Sequence, residues 1–158
     1  MLSPQSVSIF LVDDNSLCLT IYKKYLLNLG FTNVQCFESG LDCIANIEER
    51  PDIIFLDYFM PPIDGLDTLK KIKALYPGIC IVMLSAQADT DIAVQSLKCG
   101  AFDYIVKGQT ELVNIQGVLD RFIQLKNVAL TKQCEESPDL ESFAVNNRWY
   151  NKANISAL

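Results

Sequence analysis

Apolar residues gather in five short runs along the chain, over positions 7–12, 34–37, 53–56, 79–84 and 104–106. Three of these are nearly unbroken aliphatic stretches, the composition of strands covered on both faces of a sheet. Between the runs the spacing turns helical, with apolar positions three and four apart. The first such segment carries Cys18, Ile21, Tyr22, Tyr25 and Leu29 and stops at Gly30, a residue suited to the left-handed position that closes a helix. The second opens at Ser39 with Asp42 three positions on, a capping pattern. The third shows Leu66, Leu69, Ile72 and Leu75 and ends at Pro77-Gly78. The fourth has Ile92, Ala93 and Leu97 before Gly100, and the fifth has Leu112, Ile115, Val118, Leu119 and Phe122. Regular strand–helix alternation predicts an α/β fold of five βα units, a (βα)5 doubly wound parallel five-stranded sheet.

One domain over 7–127 accounts for this pattern, and 128–158 reads as a C-terminal tail or the start of a linker. In the tail, Glu135-Glu136-Ser137-Pro138-Asp139 looks like a solvated break, with Phe143, Trp149 and Tyr150 beyond it in a polar setting.

Charge appears where the aliphatic runs end. The first run is followed by Asp13-Asp14, the third by Asp57, the fourth by Ser85 and the fifth by Lys107. In an open parallel sheet these positions lie at the carboxyl edge of the strands, where ligands bind near a topological switch point. With strand order 2-1-3-4-5, strands 1, 3, 4 and 5 are consecutive neighbours about 4.8 Å apart, so the groups line one cleft. Any one of them alone would be an ordinary loop residue, since Asp and Ser commonly cap helices. Together they form a site. Crowded carboxylates raise one another's pKa values unless a cation joins them, and hard oxygen donors suit Mg²⁺, with Mn²⁺ as a substitute. An aspartate beside such a cation can act as a nucleophile toward phosphorus, with ammonium and hydroxyl groups stabilising the charge.

Composition narrows the chemistry further. The 158 residues contain no histidine, which excludes Ser-His-Asp and Cys-His catalysis and a phosphohistidine on this chain. A formal net charge of −6 argues against a broad basic face for nucleic acid. The six cysteines form no CxxC and read as reduced thiols in apolar settings. No apolar run approaches the roughly 20 residues of a membrane span, and the N-terminus lacks a signal-peptide pattern, so a cytoplasmic location is expected.

The words IFLVDDN, IIFLDYFMPPIDG, IVMLSAQ and DYIVKG, read in that order, resemble the receiver domains of two-component response regulators, over roughly 7–126. That resemblance implies a flavodoxin-like three-layer sandwich that accepts a phosphoryl group rather than turning over a metabolite. Asp57 then matches the phospho-acceptor, Asp13 and Asp14 the acidic metal pair, and the Phe59 backbone carbonyl a third protein contact to Mg²⁺. Ser85 and Lys107 match the groups that hold the phosphoryl oxygens, and Tyr104 the aromatic switch position. The resemblance implies a sensor histidine kinase or phosphotransfer protein as donor. It also implies an output face of helix 4, strand 5 and helix 5, through which a homodimer can form. Asp64 reads as a helix N-cap, with a metal ligand as the alternative. Two positions depart from the pattern. Gly108 replaces the proline that usually follows the lysine, freeing the fifth loop. Phe59 is apolar where many relatives are polar, and is expected to shield the acyl phosphate from water. The competing readings are an aspartate-nucleophile phosphatase or phosphotransferase, whose DxDxT-like motif is missing, and a receiver-like scaffold that is never phosphorylated.

Overall fold

The computed structural model describes residues 1–136. Strands β1 (Ser8–Val12), β2 (Asn33–Phe37), β3 (Ile53–Asp57), β4 (Cys80–Ser85) and β5 (Asp103–Val106) alternate with helices. The helices are α1 (Ser16–Asn28), α2 (Gly40–Ala45), α3 (Gly65–Leu75), α4 (Thr90–Lys98) and α5 (Glu111–Glu136). The strands pair in parallel in the expected order, β2-β1-β3-β4-β5. Successive strand residues point to opposite faces, so each aliphatic run feeds two cores. Ile9, Leu11, Ile53, Phe55, Val82 and Leu84 pack against α1 and α5, while Phe10, Val12, Ile54, Leu56, Ile81 and Met83 pack beneath α2 and α3. Burying each such side chain contributes about 1.5–3 kcal/mol, which is why the sheet tolerates no charge until its ends.

Helix boundaries follow local chemistry. Asn15, Ser39, Asp64 and Asp89 occupy the N-caps of α1, α2, α3 and α4, each accepting backbone N–H groups of the first turn. Asp64 is therefore a cap, bonded to the Asp67 N–H at 2.8 Å. Gly30 (φ 90°) and Gly100 (φ 98°) follow α1 and α4 in the left-handed region, as expected of helix-closing glycines.

Three helices depart from the expected pattern. In α1 the buried residues are Leu19, Tyr22 and Leu26, whereas Ile21 is exposed. This helix is apolar on several sides (Leu17, Leu19, Ile21, Leu26, Leu27), so spacing alone did not select the inward face. In α4 the buried residue is polar Ser96, and Leu97 is half exposed, 48%. Helix α5 runs past position 127 to Glu136, so the start of the expected tail is helical. The Cys134 thiol, Phe143, Trp149 and Tyr150 lie outside the described residues. No helix among the described residues is long and apolar enough to cross a membrane.

Candidate functional site

The parallel ladders continue one residue past the strands and thereby fix the backbone of the chemically active positions. Asp13 N–H donates to Phe37 O (3.1 Å), Tyr58 N–H to Leu84 O (2.8 Å) and Lys107 N–H to Ser85 O (2.8 Å). Asp57 and Ser85 close their own strands, opposite Leu84 and Val106. Side chains attached to this edge leave the sheet at defined points while their main chains remain part of it.

Here the expected residues meet. Lys107 Nζ lies 2.6 Å from Asp13 Oδ2 and 2.6 Å from Asp57 Oδ1, bridging two buried carboxylates. The other oxygens of that pair face backbone: Asp13 Oδ1 accepts from Asn15 N–H (2.9 Å) and Asp57 Oδ2 from Phe59 N–H (3.1 Å). Asp13, Asp14 and Asp57 place one ligand oxygen each within 4.8 Å of one another, and of the three only Asp14 is exposed. Ser85 is buried at the same edge, its Oγ accepting the Gln87 N–H (3.2 Å). Tyr104 is half buried and donates its hydroxyl to Gln87 O (3.0 Å), so Ser85 and Tyr104 hold one residue of the β4–α4 loop between them.

Electrostatics follow from this crowding. Burial pushes the Asp57 carboxyl above its ordinary value; Lys107 pulls it back, and Asp13 and Asp14 push it up again. Burial alone would lower Lys107, but its hydrogen bonds and charge pairing with Asp13 and Asp57 outweigh it and raise the ammonium's pKa. The acid cluster is thus held together by one internal cation.

Other positions qualify the expectations. The Phe59 ring is 79% exposed and does not cover the acceptor, so the expected shield against water is not formed. Its peptide, by contrast, lies beside Asp57 through the N–H bond. Gly108 has φ 158°, a value proline cannot adopt, and its N–H donates to Glu111 Oε2 at 3.0 Å. Gly65 stands where any Cβ would come within 2.2 Å of Asp57 O and 2.8 Å of Tyr58 Cα, so α3 abuts the acceptor strand's end. The described cysteines are free, and of these only Cys43 is fully buried. Burial pushes Cys43 and Cys80 up to about 12, which makes both inert thiols.

Asn15, Gln87 and Glu111 were not singled out from sequence. Asn15 had a signal, an N-cap residue directly after the acidic pair. Gln87 acts only through its peptide group, which no residue type reveals. Glu111 reads as an ordinary first-turn acid until its bond to Gly108 is seen.

Known proteins resemble this chain in sequence and fold. The family model for the response regulator receiver domain matches residues 9–116. The chain is 34% identical over 117 residues to the transcriptional regulatory protein ZraR of Escherichia coli (strain K12), covering 73% of this chain and 26% of that protein. It is 35% identical over 100 residues to the DNA-binding transcriptional regulator NtrC of Salmonella typhimurium, covering 63% of this chain and 21% of that protein. The chain thus spans about a quarter of the length of these curated relatives, 26% and 21%. Among solved structures, a response regulator receiver domain protein from Clostridium thermocellum superposes with TM-score 0.70 at 26% identity, covering 78% of this chain and 98% of that one. A CheY-like receiver domain protein from Methanospirillum hungatei JF-1 gives TM-score 0.70 at 24% identity, over 77% and 97% of the two chains. With most of its length matched and the charged edge in place, the chain belongs to the response regulator receiver domains, whose general function is phosphorylation-dependent switching in two-component signalling.

Proposed function

We propose that this chain takes a phosphoryl group onto Asp57 from the phosphohistidine of a sensor histidine kinase or phosphotransfer protein. The observation that carries the reading is the Lys107 ammonium bridging Asp13 and Asp57 at 2.6 Å each, beside Ser85 and an exposed Asp14. The burial that raises the Asp57 carboxyl also makes it a more basic nucleophile. In the transfer an Asp57 oxygen forms the new O–P bond as the N–P bond breaks, and the imidazole nitrogen keeps the electron pair. Lys107 and Ser85 then hold phosphoryl oxygens, and the Ser85 hydroxyl is free to turn because its present bond uses it as an acceptor.

The donor set fits a divalent cation. It offers oxygens only, three carboxylates within 4.8 Å, and its single internal counter-charge is a movable lysine. Asp13, Asp14, Asp57 and the Phe59 carbonyl would hold Mg²⁺, or Mn²⁺ in its place, and the bound ion supplies charge neutralisation for the transferring phosphoryl group.

Output runs through Gln87. When Ser85 turns toward phosphorus it releases the Gln87 N–H, and Tyr104, bonded to the same residue, is free to move. The face of α4, β5 and α5 carries the change to a partner, to a second copy of this chain, or to further domains. ZraR and NtrC are named as transcriptional regulators, NtrC as DNA-binding, and this chain's charge of −6 favours a partner other than nucleic acid for its own surface. Residues 7–127 form the switching unit, working in the cytoplasm and regulating rather than turning over a metabolite.

Incubation with acetyl phosphate and Mg²⁺ tests the reading. The expected product carries one base-labile phosphate, lost in Asp57→Asn. Label retained by that variant, or release of a dephosphorylated metabolite in many turnovers, overturns it.

A further inference from the structure

Lys107, the internal cation, is followed directly by a residue with open space around it. A Cβ built at Gly108 meets nothing within 4 Å, so neither side chain nor neighbour restrains that position. Glycine also costs the most entropy to order, so an unrestrained Gly108 would let the lysine's main chain drift. Two bonds prevent this. Gly108 N–H donates to Glu111 Oε2 (3.0 Å), and Glu111 N–H donates to Gly108 O (3.2 Å). The pair is reciprocal, as in a capping box, and it ties the loop to the first turn of α5. On its other side Lys107 is held by the ladder bond to Ser85 O.

We infer that Glu111 is a positioning residue for Lys107: its carboxylate clamps the Gly108 peptide so that the ammonium spans Asp13 and Asp57. The reach is demanding, because one nitrogen must sit 2.6 Å from carboxylates on two different strand ends. A loop pinned on one side only would satisfy one carboxylate and lose the other. Glu111 touches neither the acceptor nor any phosphoryl oxygen, so it acts through Gly108 and not on the chemistry itself. A negative charge in the first turn of α5 also suits the helix dipole, which stabilises the carboxylate in place. The inference rests on the acceptor role proposed for Asp57.

Three variants separate the clamp from its charge. Glu111→Gln keeps a side-chain oxygen at the same reach and loses the charge, Glu111→Ala loses both, and Glu111→Asp keeps the charge on a shorter arm. Each is compared with wild type for phosphorylation by acetyl phosphate with saturating Mg²⁺, and for the Gly108 amide resonance. Loss of one hydrogen bond sets the scale, so Glu111→Ala and Glu111→Asp are expected to slow labelling by about five- to tenfold, while Glu111→Gln, which keeps the accepting oxygen, stays within about twofold. The Gly108 amide proton is expected to move upfield in the slow variants and remain near its wild-type position in Glu111→Gln. Equal rates in all four proteins overturn the clamp and leave the acceptor reading standing. Equal slowing in Gln and Ala also overturns it, by assigning the effect to charge. Absence of label in wild type sinks the acceptor reading and the inference with it.

Discussion

Replacing Asp57 by asparagine is expected to make the folded protein more stable while abolishing its chemistry. One ligand oxygen on each of Asp13, Asp14 and Asp57 lies within 4.8 Å of the others. At an effective dielectric of about 20, each such repulsion is worth at least about 3.5 kcal/mol. Lys107 at 2.6 Å returns about 6.4 kcal/mol by the same arithmetic. Two repulsions and one attraction therefore nearly cancel at Asp57, and desolvation of a side chain only 7% exposed decides the sign. That is why its carboxyl lies above the ordinary aspartate value of 3.8. The folded protein then holds a proton that the unfolded chain has released. Wild-type stability falls as pH rises from 3.8 through the raised folded value, and the cost is complete above it. Asparagine removes this cost and leaves Lys107 paired with Asp13. A gain on the order of 1–2 kcal/mol is expected in EDTA at pH 7, the usual scale when a strained functional site is relaxed. The gain shrinks as pH falls toward 3.8. Saturating Mg²⁺ reverses the comparison. At about a hundred times its Kd a ligand adds about 2.7 kcal/mol, and only the wild type keeps all three carboxylates. Urea unfolding followed by far-UV circular dichroism measures all four conditions. An Asp57→Asn protein less stable than wild type in EDTA, or one that gains as much from Mg²⁺, refutes the reasoning.

Lys107→Met leaves Asp13 and Asp57 buried without their cation, their side chains 2% and 7% exposed, and is expected to cost about 3 kcal/mol in EDTA. Mg²⁺ recovers part of that loss in the same unfolding assay, and no loss in EDTA contradicts the bridge. Gly65→Ala drives a methyl to 2.2 Å from Asp57 O and 2.8 Å from Tyr58 Cα, backbone atoms that cannot step aside. Destabilisation of about 2 kcal/mol and slower acetyl-phosphate labelling are expected, and unchanged values in both would show that α3 does not press on the acceptor. Tyr22 is 2% exposed and its hydroxyl has no hydrogen-bond partner among the described residues. Tyr22→Phe is therefore expected to be neutral or up to about 1 kcal/mol stabilising, whereas a clear loss in urea unfolding means the hydroxyl is satisfied in solution.

The sheet was legible because β1, β3 and β4 are aliphatic runs buried on both faces, and each of the five strands ends within a residue of where its apolar run stops. Ser85 is one such end, counted from sequence as the residue after the fourth strand and found to be its last. The helices were legible as elements but not as oriented surfaces. In α1, where Leu17, Ile21 and Leu27 are as apolar as the buried Leu19 and Leu26, the sheet chose the face. In α4 the inward position went to Ser96, so a hydrophobic stripe could not mark it. In α5 the apolar spacing ends at Phe122, but good helix formers continue, and the helix continues with them to Glu136.

The same contrast explains which parts of the site could be read. Asp13, Asp57, Ser85 and Lys107 act through side chains at strand ends, where a polar residue breaks an apolar run and announces itself. Asn15 N–H, Phe59 N–H and the Gln87 peptide act through the main chain, and their neighbours in space decide their role. Those main-chain contacts all belong to the loops that follow the strands. In the acceptor role proposed for Asp57, a phosphoryl group offers Lys107 and Ser85 new oxygens, so the first bonds exchanged are the ones these two side chains make now. Both lead directly into loops, through Gly108 in one case and Gln87 in the other. Under the proposed function, these two loops are the route by which a local change of charge becomes a change of surface.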